Sequence, residues 1–279
     1  MNISVRILLI VISFLLIGAA GVLYAIDNYE PAQQEVLEER TLNEEIGEME
    51  ITVENSRVEF LPSTDDTSRI VLAGSSDDFT LRTEVSETRL EIEVEDRSQF
   101  FIFDFNRSSL LQVYVPEDGL DSLSAVSDNG AIQVEGILTE ELTLEADNGR
   151  IELESVESES VDAETNNGRI ELTDIEADMS VRTSNGRIIF TDVSGELQVR
   201  ADNGRIDLTV GTLNFPVDLE TNNGRIEIQT ESEPANARIE ARVDNGRIDV
   251  YGRNNEETIF GDGDVQIQLV SSNGRIVVE

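Results

Sequence analysis

The chain has 279 residues with no Cys, His, Trp or Lys, and 58 acidic residues against 20 basic ones, all Arg, set its formal charge at −38. Without Cys there are no disulfides, thiol nucleophiles or thiolate metal sites, and without His the commonest general base and metal ligand is gone. So acidic a surface repels nucleic acid, and no nucleic-acid partner is expected.

Residues 1–6 form a short N-terminus ending in Arg6, followed by an uncharged apolar run over 7–26, "ILLIVISFLLIGAAGVLYAI". As a helix this run is long enough to cross a hydrocarbon core of about 30 Å. Leu23-Tyr24-Ala25 matches a small-residue cleavage site poorly, so the run reads as an uncleaved signal-anchor. Arg6 before it and Asp27, Glu30 and Glu35 after it predict a cytoplasmic N-terminus and an extracytoplasmic remainder, a single-pass protein of the cell membrane. Residues 27–45 are polar and read as a juxtamembrane stalk.

From residue 46 the acids alternate with Ile, Leu and Val instead of clustering, which predicts a folded domain with an acidic skin, suited to high salt or alkaline medium. Residues 46–129 carry the pattern irregularly. "MEITVENSRVEF" places Met49, Ile51, Val53, Val58 and Phe60 inward with Ser56 at the corner, and "LRTEVSETRLEIEV" fits the same frame with Thr88 at the corner. The interval from Ser56 to Gly130 is 74 residues, four periods of 18.5. The cluster "FFIFDF", Phe100–Phe105, reads as core filling for an early coil or, if exposed, as a patch for a membrane or partner.

Residues 130–279 repeat Asn-Gly strictly, at Asn129-Gly130, Asn148-Gly149, Asn167-Gly168, Asn185-Gly186, Asn203-Gly204, Asn223-Gly224, Asn245-Gly246 and Asn273-Gly274. The spacings between glycines are 19, 19, 18, 18, 20, 22 and 28. A period near 19 held this long marks a repeat architecture. Apolar residues stand two and four places after each of the last seven glycines and seven and five places before it, as in Leu142, Leu144, Ile151 and Leu153. The position three before it is small or modest, as in Ala146 and Thr165. Each repeat therefore reads as two short half-buried strands.

Two all-β architectures accommodate this. Asn-Gly is the strongest short hairpin signal, which would give a long antiparallel meander. A meander of so many strands would need a cover for its apolar face, whereas a β-solenoid of 18–20-residue two-strand coils faces its own strands across a common core. In that solenoid Asn stacks into an amide ladder at ~4.8 Å spacing and Gly supplies a positive φ at the bend.

Arg follows each of the last seven glycines: Arg150, Arg169, Arg187, Arg205, Arg225, Arg247 and Arg275. With acids two places further on, the row reads as a solvated ladder of ion pairs or, in a sharper reading, as a groove for a phosphate-bearing polymer. No catalytic, cofactor or metal residues are assigned. The fragment "GDGD" at Gly261–Asp264 falls short of a calcium repeat, and only diffuse calcium binding is expected. Because Glu279 ends the chain halfway round a coil, the C-terminal coil is expected to offer an edge strand to a partner.

The apolar run, then "ITVENSRVEFLPS", "LQVYVPEDGLDSLSAVSDNGAIQVEG" and serial "NGRIEL" units resemble the bacterial putative-adhesin domain of unknown function, including its LiaG-like members associated with envelope stress. The resemblance covers about residues 46–279. It implies an envelope β-solenoid without assigned catalytic residues, though the strict Arg after Asn-Gly departs from the family's looser repeats. The expected function is a non-enzymatic, membrane-anchored adhesin or envelope-interaction module, binding an envelope polymer. The alternatives are an accessory of an envelope-stress system that meets a membrane sensor protein, and a β-helical polysaccharide-processing enzyme.

Overall fold

The computed structural model describes residues 35–65, 67–97 and 108–279. The membrane span expected at 7–26, stalk residues 27–34 and the Phe100–Phe105 cluster lie outside the described residues. Nineteen strands and no helix are found among the described residues. In chain order they are β1 (Glu35–Leu42), β2 (Glu48–Val53), β3 (Arg57–Pro62), β4 (Ser68–Gly74), β5 (Phe79–Ser86), β6 (Arg89–Asp96), β7 (Ser109–Val115), β8 (Leu120–Ser127), β9 (Ile132–Glu135) and β10 (Leu138–Ala146). Then come β11 (Ile151–Thr165), β12 (Arg169–Thr183), β13 (Arg187–Ser194), β14 (Leu197–Ala201), β15 (Arg205–Val210), β16 (Val217–Thr230), β17 (Ala237–Val250), β18 (Glu257–Phe260) and β19 (Val265–Val278). Part of the expected stalk is thus the strand β1.

Alternation explains why these segments are strands. In β10, Leu142, Leu144 and Ala146 are buried while Thr143 and Glu145 are exposed, and the same alternation resumes after the corner at Ile151 and Leu153. Side chains of period two can share one core only if the backbone is extended. Equivalent residues of successive coils then pair in parallel, Ile151 beside Ile170 and Ile170 beside Ile188. This parallel register makes the chain a β-solenoid and sets aside the antiparallel meander. Antiparallel pairs occur at the two ends of the stack, where β1 joins β4, β4 joins β7 and β5 joins β6 at one end, and β18 joins β17 at the other.

The coil has more than the two expected sides. Six places after the corner glycine the chain turns through a left-handed residue, at Gly136, Ser155, Asp174 and Asp192, with φ of 64°, 54°, 56° and 53°. The next residue, Ile137, Val156, Ile175 or Val193, is buried and opens a short third run. Non-glycine residues held at positive φ cost about 1–2 kcal/mol, partly recovered in Asp, whereas glycine carries an entropic cost of about 0.5–1 kcal/mol. Asp192→Gly is therefore expected to stabilise the fold by about 0.5–1 kcal/mol. Thermal melting checks this, and a destabilised variant would mean that the Asp192 side chain makes a compensating contact.

Coil order departs from chain order at both ends. β2 and β3 stack directly on β8 and β9, so the coil of Ser56 touches that of Gly130, and the 74 residues between them do not form four periods. Part of that interval is spent on β4 and on the β5–β6 hairpin. The frame with Thr88 at a corner is therefore corrected: Ser86 pairs with Arg89 across a tight turn, and β6 carries Leu90, Ile92 and Val94 beside Met49, Ile51 and Val53. At the far end β19 inserts between β16 and β17. The C-terminal coil is hydrogen-bonded on both sides, so the edge strand expected there does not exist; the outermost coil is that of β17.

At this outer end β18 covers Ala237–Glu240 of β17, and Val250 bridges Arg253. The short stretch around Asn245-Gly246-Arg247-Ile248 has no coil beyond it. Val58 and Ile132, equivalents of Ile248, donate their N–H groups to carbonyls of the next coil. For Ile248 no such coil follows, and its side chain is only half-buried where its equivalents are fully buried.

Candidate functional site

The Asn-Gly corner and the Arg row beside it form one continuous edge of the rod. Asn129 Nδ2 donates to Asn55 Oδ1, and the same bond repeats through Asn148, Asn167, Asn185, Asn203, Asn223, Asn273 and Asn245, at 2.9–3.1 Å throughout. The order of the last two follows the stack and not the chain. Asn55 was absent from the sequence reading because Ser56 stands where the others have glycine. One place earlier a second column mixes acids with amides: Asn166 donates to Asp147 at 2.6 Å and Asn222 to Asp202 at 3.0 Å.

The corner glycines do not take positive φ, contrary to expectation; that conformation belongs to the bend six places later. Their reason is close approach. A Cβ on Gly186 would overlap the carbonyl oxygen of Gly168 in the adjacent coil, and the same clash with the neighbouring glycine carbonyl recurs at Gly149, Gly168, Gly204, Gly224, Gly246 and Gly274, and at Gly130 with Ser56. The small residue three before the glycine joins this packing. Thr165, Thr221 and Ser271 donate their hydroxyls to the carbonyls of Gly149, Gly204 and Gly224 at 3.2–3.3 Å.

On the outer face after the corner, Arg150 pairs with Glu152 at 2.7 Å, and this hydrogen bond holds the Arg150 guanidinium above the ordinary arginine pKa. Arg169 approaches Glu171 at 3.8 Å. Ile189 replaces the acid of the next coil, and Arg187 reaches over to Asp207 at 2.5 Å. Arg205 pairs with both Asp207 and Glu227, and Arg225 meets Glu227 at 2.7 Å. Beyond that the zipper loosens: Val277 stands beside Glu227 and Asp249 in the acid column, and Arg275 is 4.0 Å from Asp249.

These arginine side chains remain between 37% and 52% exposed, so solvent screens each pair. Arg187→Ala is expected to cost no more than about 1 kcal/mol, since Asp207 keeps Arg205. A loss beyond about 3 kcal/mol in a denaturation curve would show that Asp207 behaves as a buried, uncompensated charge.

A separate cleft of about 840 Å³ lies between the β1–β2 loop, the β7–β8 turn and the third runs of the coils, and includes Glu44, Asp118, Asp121, Glu140, Glu157 and Glu176. Leu138 projects into it and is 46% exposed. Asp264 of the "GDGD" fragment accepts from Asn236 Nδ2 at 2.8 Å in the turn between β18 and β19.

The model of the family described as Toastrack DUF4097 matches residues 46–279. No curated protein matches the chain. Among solved structures, a putative lipid binding protein from Parabacteroides distasonis is similar at 18% identity with a TM-score of 0.52, over 87% of this chain and 96% of that one. A putative adhesin from Bacteroides fragilis shares 12% identity at a TM-score of 0.43, over 89% and 99% of the two chains. A putative cell adhesion protein from Clostridium sporogenes shares 11% at 0.30, over 88% and 99%. At these identities the first likeness speaks for the fold alone, and the other two carry no argument.

Proposed function

From the premise that the chain belongs to the Toastrack DUF4097 family, whose model spans residues 46–279, we propose that it is a non-enzymatic contact module of the cell envelope, held at the membrane by residues 7–26. The observation that carries this reading is the placement of β1 and β17 at opposite ends of the stack. An anchor that precedes β1 sets the β1 end toward the bilayer and turns the β17 end away from it. Between the apolar run and β1 lie only residues 27–34, which reach at most about 28 Å when extended. A stack of coils at ~4.8 Å each is a spacer as well as a surface, and its amide ladder ties each coil to the next.

The acids beside the Arg row are engaged with guanidinium groups, an arrangement suited to a fixed recognition face and not to proton transfer. The test is retention of the full chain on cell-envelope fractions at low and high salt, together with protease accessibility on intact cells. Salt-sensitive retention on wall polymer and cleavage at the β17 end from outside support the reading. Capture of a membrane sensor protein without polymer would replace it with the stress-accessory role that the sequence resemblance also implied, and turnover of a polysaccharide substrate would overturn the non-enzymatic part.

A further inference from the structure

We propose that the three outermost arginines of the row, Arg225, Arg275 and Arg247, form a binding site for a phosphate group. The inference deepens the envelope-contact reading by naming its ligand class. Arg150, Arg187 and Arg205 are closely matched: Arg150 holds Glu152, Arg205 holds two carboxylates, and Arg187 crosses the gap left by Ile189 to reach Asp207, while Arg169 keeps Glu171 of its own coil at 3.8 Å. The gap left by Val277 is crossed only loosely, by Arg275 to Asp249 at 4.0 Å and without a hydrogen bond. Val277 is buried on the strand between Glu227 and Asp249, so the acid that would separate Arg225, Arg275 and Arg247 is missing.

The consequences are visible in each of the three side chains. Arg225 spends one of its two terminal nitrogens on Glu227, which it shares with Arg205, and its Nε is buried without an acceptor. Arg275 meets its nearest carboxylate, Asp249, only at 4.0 Å. For Arg247, exposed on the last coil, none of the ion pairs found among the described residues includes it. Parallel register places the three on adjacent strands, Arg225 beside Arg275 and Arg275 beside Arg247. At ~4.8 Å between coils the whole set spans ~10 Å, within reach of one phosphate and its neighbouring group.

Three guanidinium groups with two carboxylates between them are short of acceptors, and a phosphate supplies acceptor oxygens in the planar geometry a guanidinium grips. The surrounding charge of −38 repels anions at long range. It makes such a site selective for ligands held nearby at high local concentration, as a polymer in the envelope would be.

The test uses the full chain in an uncharged detergent, with arginine side chains labelled with nitrogen-15 and titrated with inorganic phosphate, then with poly(glycerol phosphate), at constant ionic strength. Saturable shifts of the Nε signals of Arg225, Arg275 and Arg247, absent at Arg150 and Arg169, are expected. The pair Arg275→Gln and Arg247→Gln should weaken binding at least about tenfold, while Arg82→Gln, on β5 and outside the row, leaves it unchanged. Tighter binding of the polymer identifies a polymer source and equal affinity per phosphate a free anion; both support the site. Shifts spread evenly along the row, or none, overturn it. Envelope retention that survives in a protein without phosphate binding would leave the contact reading standing and remove only the site, and phosphate binding without retention would do the reverse.

Discussion

Deleting residues 265–279 is expected to unpair the outer end of the solenoid and not merely to shorten it by one coil. β19 is the strand on which both β16 and β17 close, along Val217–Ile228 of the first and Ala237–Val250 of the second. It contributes Ile267, Leu269, Ile276, Val277 and Val278 to the buried set, each worth about 1.5–3 kcal/mol when fully buried. Without it β17 keeps only β18, which covers Ala237–Glu240. Amide exchange should then show protection lost across Ala237–Val250 and weakened along β16, with the coils from β8 to β15 little changed. Full protection of β17 in the truncated chain would mean that it re-pairs with β16 in the place β19 left, and would set aside the claim that the last strand is the keystone of this end.

Gly186→Ala is the second large effect, a loss of about 3 kcal/mol or more. A methyl group there has to displace the Gly168 carbonyl and with it the spacing of two coils, and overpacking of this kind costs about 1–3 kcal/mol even where neighbours can yield. Backbone atoms in a hydrogen-bonded stack yield little. Gly186→Asn separates close approach from backbone conformation, because Asn tolerates positive φ but brings the same Cβ. If Asn restored the wild-type melting temperature, the close-approach explanation would be wrong. Gly211→Ala is the control: a Cβ at that position meets nothing nearer than the Glu231 carboxylate at 4.0 Å, and the change is expected to stay within about 0.5 kcal/mol.

The corner was legible in the sequence, though the role of its glycine was not. Recurrence of Asn at one phase announced the ladder, because equal side chains at equal intervals can stack only if the coils stack. Glycine, by contrast, satisfies two different demands, positive φ and close approach, and the one-letter pattern does not separate them. The left-handed bend at Ser155, Asp174 and Asp192 escaped for the opposite reason, since Ser and Asp share one column with Gly136.

The period placed a corner at Ser56, 74 residues before Gly130, but Asn55 closes the ladder directly on Asn129 with no coil between them, an adjacency that no count of periods reveals.

By itself the sequence determined which residues face inward, where the corner falls and which face carries arginine, because a period of two and a repeat near 19 are local properties of an extended chain. Tertiary structure alone decided the order of the coils. Repeats that share Asn-Gly-Arg-Ile present nearly identical edges, so β17 and β19 are equally eligible by pattern to stack on β16. The choice between them falls to the connections: the loop before β17, the β18 return strand and the turn at Gly261 and Gly263. That same choice put Val277 between two acids and left Arg247 on the last coil, which is how a uniform arginine row acquired one end unlike the rest.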